Sequence, residues 1–326
     1  MTKAAATLVV AAASAFALSA CADATPADVL TGDLLVHDPV LAQDGDAWFV
    51  YSTGNGTISD GNVQIRTSLD GKNWTYSGAV WEKKPEWLRE EVPGVDNVWA
   101  PELYHHDDTW YLYYSGSTFG QNTSAIGVAT NTSLDPAADD YEWVDHGVVV
   151  QSSSGDWFNA IDPGVVEDTD GTPWLVFGSF WGGIQMVEIE WPSGKPVDGA
   201  EQFTVADRVD PPNAIEAANV FERGGDYYMI YSRDSCCRGT DSTYNMAVGR
   251  ASDVTGPYLD RDGVPLLEGG GTPLLETEGD RIGPGGQSVW GDTLAFHFYN
   301  AEHNGAHELA FRQLSWDSDG WPSVSW

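Results

Sequence analysis

The 326-residue chain carries 49 acidic against 15 basic side chains, a formal net charge of −34 that excludes nucleic acid as a partner and disfavours polyanionic substrates. Hydrophobic residues make up 42%, enough for a sizeable core, and the acidity is spread along the chain as on a solvated surface. With 36 Gly, 17 Pro, 15 Trp, 13 Tyr and 11 Phe, the composition favours many short strands joined by turns over long helices.

At the N-terminus Lys3 supplies one positive charge, residues 4–17 form an apolar run of small side chains, and Leu18-Ser19-Ala20-Cys21 follows. Such a run is a secretory signal, too short to span a bilayer. Its end resembles the lipobox of bacterial lipoproteins, which implies acylation of Cys21 and a secreted protein anchored to the cell envelope, touching the membrane only through that lipid. Residues 1–21 are thus expected as signal, 22–29 as linker and 30–326 as one domain. Cys236 and Cys237 are adjacent, so the one internal bridge open to them is vicinal; they are expected instead as buried small hydrophobes. The sequence has no CxxC, HExxH or Cys/His metal cluster.

From residue 37 the chain repeats itself. Four segments share a polar opening, a turn and an aromatic strand ending in Ser: 37–52 (HDPVLAQDGDAWFVYS), 100–115 (APELYHHDDTWYLYYS), 162–179 (DPGVVEDTDGTPWLVFGS) and 216–232 (EAANVFERGGDYYMIYS). A fifth, 285–299 (GGQSVWGDTLAFHFY), has the same shape without the Ser, and Pro39, Pro101 and Pro163 recur every 62 residues. Third strands begin at Val63, Ile126, Ile184, Met246 and Leu309, and Asp44-Gly45, Asp170-Gly171 and Gly224-Gly225 suit tight hairpins. Five antiparallel units that cannot bury both faces alone stack radially, so the expected fold is all-β, a five-bladed β-propeller.

Three of the five openings carry an acid in an apolar setting: Asp38, Asp162 and Glu216. A propeller brings blade openings together at its axis, where carboxylates repel each other. Glycoside cleavage needs such a set: one carboxyl protonated to serve the leaving oxygen, one ionised to activate water, and a third able to tune the first. Taken singly, an Asp before Pro is an ordinary turn residue.

HDP at 37–39, WAPEL at 99–103, NAIDPGV at 159–165, FGSFWGGI at 177–184, AIEA at 214–217, SRDSCCRGTDSTYNMAVGR at 232–250, GPGGQSV at 283–289 and AFHFYNA at 295–301 together resemble glycoside hydrolase family 43, and within it the arabinanases. The resemblance runs from His37 to Trp321. It implies hydrolysis of a neutral arabinose-containing polysaccharide with inversion, Asp38 as general base, Glu216 as general acid and Asp162 as the acid that positions and tunes the donor. Base and acid would then stand about 6.5–9.5 Å apart. It also implies a calcium or similar ion on the axis near His297, with water filling most of its shell, since calcium prefers oxygen; a core histidine is the alternative. No organic cofactor is implied.

Trp99, Phe119, Asn159 and Ser179 match substrate-contacting positions of arabinanases, and Trp181 lies in a motif at a blade mouth. Their rings suit the apolar patches of a furanose and their polar groups its hydroxyls. Trp48, Trp110 and Trp174 are expected as packing, His37 as support for Asp38 or, by preference, as packing, and His105, His106, His303 and His307 as surface. Two departures from relatives stand out: Ala217-Ala218-Asn219 replaces Ala-Pro-aromatic beside the acid, and Gly286-Gln287 stands where others have a His. Competing expectations are a family 43 β-xylosidase or arabinofuranosidase, and a carbohydrate-binding propeller without catalysis. The connections 81–97 and 192–212 are where a loop could close a groove and turn internal cutting into release from an end.

Overall fold

A computed structural model describes Met1 and residues 30–326; the lipobox Cys21 and the linker 22–29 lie outside the described residues. The chain forms a five-bladed β-propeller. The blades begin with the inner strands Val40–Asp44, Val98–His106, Gly164–Glu167, Ile215–Arg223 and Arg281–Trp290, and each continues outward through antiparallel neighbours. The first, second and fourth blades have four such strands, the third extends through Phe203–Ala206, and the fifth stops at three. Alternation explains the arrangement: period-2 strands with both faces apolar must be covered on each side, and adjacent blades cover each other.

The core accordingly lies between blades in five clusters. Phe49 and Tyr51 meet Leu112 and Tyr114 between the first and second blades, and Tyr113 meets Leu175 and Phe177 between the second and third. Met186 meets Tyr231 between the third and fourth, and Ile230 meets Phe296 between the fourth and fifth. Trp48, Val50 and Trp74 pack on Ala295 and Phe311, closing the fifth blade on the first. Leu309 donates its N–H to the carbonyl of Leu34 at 2.9 Å, so the segment before the first blade also ties the ring shut. Gly224 and Gly225, at φ 68° and 92°, form the two-residue turn between Arg223 and Asp226, which demands positive φ at both positions. The turn at Asp170-Gly171 is longer than expected: Glu167 pairs with Pro173, leaving five residues between the strands.

Each blade opens on a residue in the left-handed region: Asp38, Ala100, Asp162, Ala217 and Gly286, with φ of 50°, 36°, 58°, 52° and 59°. For the four that are not glycine this conformation costs about 1–2 kcal/mol apiece, so something must hold it. Each backbone N–H is taken by a side chain of the preceding blade. His297 Nδ1 accepts from Asp38 (3.1 Å), Thr53 Oγ1 from Ala100 (2.8 Å), Ser115 Oγ from Asp162 (3.1 Å), Asp162 Oδ2 from Ala217 (3.2 Å) and Ser232 Oγ from Gly286 (3.0 Å). This five-membered ring of side-chain caps fixes the kinks that aim the blade openings at the axis.

Candidate active site

The ring of caps separates two spaces on the axis. Beneath it lies a chamber of about 30 Å³ walled by the five openings with Glu102, Asn219, Gln287 and Ser288. Above it opens a groove of about 780 Å³, lined by Asp38, Asp162 and Glu216 together with Trp99, Phe119, Asn159, Ser179 and Trp181. All eight residues expected to act or to bind sugar therefore share one groove. Asp38 and Asp162 occupy equivalent positions of the repeat, whereas Glu216 stands one residue earlier than its equivalent, Ala217. The strand pairing slips between Glu216 and Asn219, a bulge of the kind that re-aims a side chain.

The three carboxyls have different surroundings. Oδ2 of Asp38 receives the Thr53 hydroxyl (2.6 Å) and faces His37 Nδ1 (2.7 Å), while Oδ1 makes no hydrogen bond among the described residues. Burial works to raise the Asp38 carboxyl, but the adjacent His37 and then the Thr53 hydroxyl outweigh it and hold Asp38 well below the usual carboxylate range. Glu216, 8% exposed, accepts from Ser179 Oγ at Oε2 (2.6 Å) and from Tyr244 OH at Oε1 (2.7 Å). Burial still wins and raises its carboxyl, aided by the negative charge of Asp38 and opposed by those two hydroxyls. Asp162 is raised further by burial and by the charges of Glu216 and Asp38. Two acids are thus pushed up beside a third that is pushed down.

Glycine makes part of this possible. A Cβ on Gly285 would lie 2.2 Å from the Tyr244 ring, so only glycine there lets Tyr244 reach Glu216. Gln287, one of the departures noted in the sequence, donates from Nε2 to the carbonyls of Ala217 and Ile230 and accepts from Ser232 at 2.8 Å, supporting the backbone beside the acid.

Around the groove, Phe119 and Trp181 are 77% and 40% exposed, Trp99 is half-buried, and the Asn159 Oδ1 is buried with no partner among the described residues, leaving it to a ligand hydroxyl. Ser179 differs from expectation in that its proton is committed to Glu216. Thr53 and Tyr244, which touch the acids, were not among the expected residues, and His37 was expected to support Asp38 or, by preference, to pack. It does both: the ring stacks on His297 with centroids 3.7 Å apart. His307 is no surface residue either, for it is half-buried, edge-on to His37 and part of the groove wall; burial and then the charge of His37 lower its imidazole to about 4. His106 is half-buried too, 2.7 Å from Glu167 and stacked on Trp191. Cys236 and Cys237 are joined in a vicinal disulfide on the groove wall, half-buried and exposed respectively, not buried as free thiols.

His37, Asp38 and His297 cluster closely enough to hold a metal ion. Their donor atoms do not fit calcium. His297 spends its Nδ1 lone pair on the Asp38 N–H, so the neutral ring carries its proton on Nε2, and burial keeps that ring neutral. His37 is committed to Asp38 and Tyr299, which leaves one carboxylate oxygen against the six to eight oxygens calcium takes. His297 is the closing member of the ring of caps.

The family model for glycosyl hydrolases family 43 matches residues 29–322. Over 304 residues the chain is 40% identical to the extracellular exo-alpha-(1->5)-L-arabinofuranosidase ArbA of Cellvibrio japonicus, spanning 89% of this chain and 86% of that one. It is likewise 40% identical over 291 residues to the extracellular endo-alpha-(1->5)-L-arabinanase 1 of Bacillus subtilis, spanning 89% and 87%. The Cellvibrio cellulosa alpha-L-arabinanase structure complexed with arabinohexaose superposes with a TM-score of 0.83 at 39% identity, over 89% of this chain and 95% of that one. With its propeller, its three axial carboxyls and its aromatic groove, the chain belongs to glycosyl hydrolases family 43 and is a glycoside hydrolase.

Proposed function

We propose that this hydrolase cleaves α-1,5-linked L-arabinan with inversion, through Asp38 as general base and Glu216 as general acid. The observation that carries the reading is the division of the three carboxyls into one pushed down and two pushed up by burial and neighbouring charge, all on one groove. Asp38 takes a proton from water as the water oxygen bonds to the anomeric carbon. Glu216 gives its proton to the glycosidic oxygen as the bond from that oxygen to the anomeric carbon breaks. Once Glu216 is protonated, one of Ser179 and Tyr244 must turn its hydroxyl away from donating. The Asp38 oxygen free of other hydrogen bonds, Oδ1, is the one available to the water. Asp162 caps Ala217 and so helps to position the adjacent Glu216. Trp99, Phe119 and Trp181 offer faces for the sugar rings and Asn159 an acceptor for a hydroxyl. No step is routed through an ion.

Arabinan is supported over other pentose polymers by the relatives, one of them seen with arabinohexaose, and export by the two curated relatives named extracellular. The lipobox-like ending at Cys21 supports a lipid anchor, which fatty-acid labelling lost in Cys21→Ser would verify. For the substrate, incubation with debranched arabinan should give arabinose or its oligomers; a ladder marks endo action, and one fixed product from the start marks exo action. Cleavage of xylan oligomers with arabinan untouched would refute the assignment.

A further inference from the structure

Not every aromatic ring on the surface belongs to the groove. Among the described residues the exposed aromatics are Phe119, Trp157 and Trp181, and of these Trp157, 53% exposed, stands outside the groove lining. A single exposed apolar side chain is ordinary, but Trp157 is tied to the loops that carry the other two. It lies on the connection from the outer strand of the second blade, Val144–Ser152, to the inner strand of the third, Gly164–Glu167. The buried Asn122 amide, three residues past Phe119, donates to the carbonyls on either side of Trp157, those of Asp156 (3.0 Å) and Phe158 (3.1 Å). The indole itself packs against Gly182, the residue after Trp181. A Cβ there would lie 2.5 Å from Cε3 and 2.9 Å from Cζ3, so a side chain at 182 would displace the ring. Two residues beyond Trp157, Asn159 already lines the groove.

The ring is held in place without being covered. Phe158 meets it edge-on with centroids 5.5 Å apart, and Phe158 in turn packs edge-on against the core residue Phe177 at 6.0 Å. The indole N–H has no partner among the described residues. An anchored ring loses little freedom when a ligand lands on it, and an apolar face beside a free N–H suits the mixed surface of a sugar, part C–H and part hydroxyl.

We propose that Trp157 is an outlying sugar-binding residue that receives the part of an arabinan chain leaving the groove past Trp181; this rests on the arabinan assignment above. Continuity identifies the occupant, since the loops bearing Phe119, Trp157 and Trp181 are joined to one another at the meeting of the second and third blades. A neutral polymer also meets no repulsion from a chain of net charge −34. Oligomers short enough to lie within the groove do not reach the ring, so Trp157 adds affinity with chain length and leaves turnover alone.

In Trp157→Ala, KM for polymeric linear arabinan should rise by about 3- to 10-fold with kcat unchanged, while KM for arabinotriose stays within about twofold. A fall in kcat, or an equal rise of KM on both substrates, would show that the change disturbs the groove itself; no rise on the polymer would show that the chain passes elsewhere. Each of these overturns the proposal. Binding is read separately on inactive Glu216→Ala from the tryptophan indole N–H resonances. Arabinotriose should move those of Trp99 or Trp181 only, and arabino-octaose that of Trp157 as well. A Trp157 signal that stays put while the groove tryptophans respond refutes the outlying site and leaves the arabinan assignment standing. If none of the three responds to either oligomer, the arabinan assignment fails and the outlying site with it.

Discussion

Glu102 offers a sharp test of the axial electrostatics because it is buried, titratable and outside the chemistry. It sits two residues past Ala100 on the inner strand of the second blade, faces the chamber beneath the acids and is 8% exposed. Burial pushes its carboxyl from 4.5 up to about 8, with only the Val165 N–H favouring the charged form. Because the folded value is raised, the unfolded chain releases this proton first. Whatever stability Glu102 lends is complete below pH 4.5 and drains away as pH rises towards 8. At 1.36 kcal/mol per pH unit the loss reaches about 5 kcal/mol and is constant thereafter. A water entering the chamber would solvate the carboxylate and reduce that figure. Gln has the same shape, keeps an acceptor for Val165 and has no proton to lose. Urea denaturation of Glu102→Gln and wild type at matched pH values from 4.5 to 9 should show the variant gaining steadily up to pH 8, then levelling. Taking the difference removes every other titrating group. A difference independent of pH would mean that Glu102 does not carry its proton in the folded protein, and the account of the axial field would fail with it.

Other consequences follow from the same geometry. Asp38→Ala and Glu216→Ala should each lower kcat by roughly 10²–10⁴-fold with the fold intact by circular dichroism; near-normal turnover in either would remove its role. Asp162→Ala takes away the acceptor of the Ala217 N–H beside Glu216, so kcat should fall; unchanged turnover would remove its positioning role. Tyr244→Phe removes a hydroxyl that favours the Glu216 carboxylate, so the alkaline limb of kcat/KM should move to higher pH. A move to lower pH would contradict the assignment of the limb to Glu216. Phe119→Ala, at a side chain 77% exposed on the groove, should raise KM and leave the melting temperature within about 1 °C.

Much of this was legible in the sequence, for a physical reason. The fivefold recurrence of opening, turn and aromatic strand reflects a blade that must look alike from both sides to pack on its neighbours, so repeat and fold are the same statement. Asp38 and Asp162 were visible because the repeat places them at one left-handed position. Glu216 was found at the right blade, but it stands one residue before the left-handed Ala217, the position that Trp99 holds before Ala100 in the second blade. The ring of caps was partly visible as Ser115 and Ser232, which end aromatic strands; the rest was hidden by the change of acceptor to Thr53, Asp162 and His297 around the ring. That change is also why His297 suggested a metal ligand when its Nδ1 is occupied by the Asp38 backbone. Tyr299 had no local signal, since it meets His37 and Cys237 across blades; Tyr244 had none because it reaches Glu216 from 28 residues away within the fourth blade, over the glycine-thinned start of the fifth. His307 read as surface because its neighbours Ala306 and Glu308 gave no hint of the groove beyond.

The most direct test of two-carboxylate inverting hydrolysis is proton NMR of the first product as the purified protein acts on linear α-1,5-arabinan. A single displacement by water activated at Asp38 predicts new reducing ends that appear first in the β-configuration and then mutarotate. New reducing ends appearing first as α would show two successive displacements, and would contradict the assignment of Asp38 as a base acting on water.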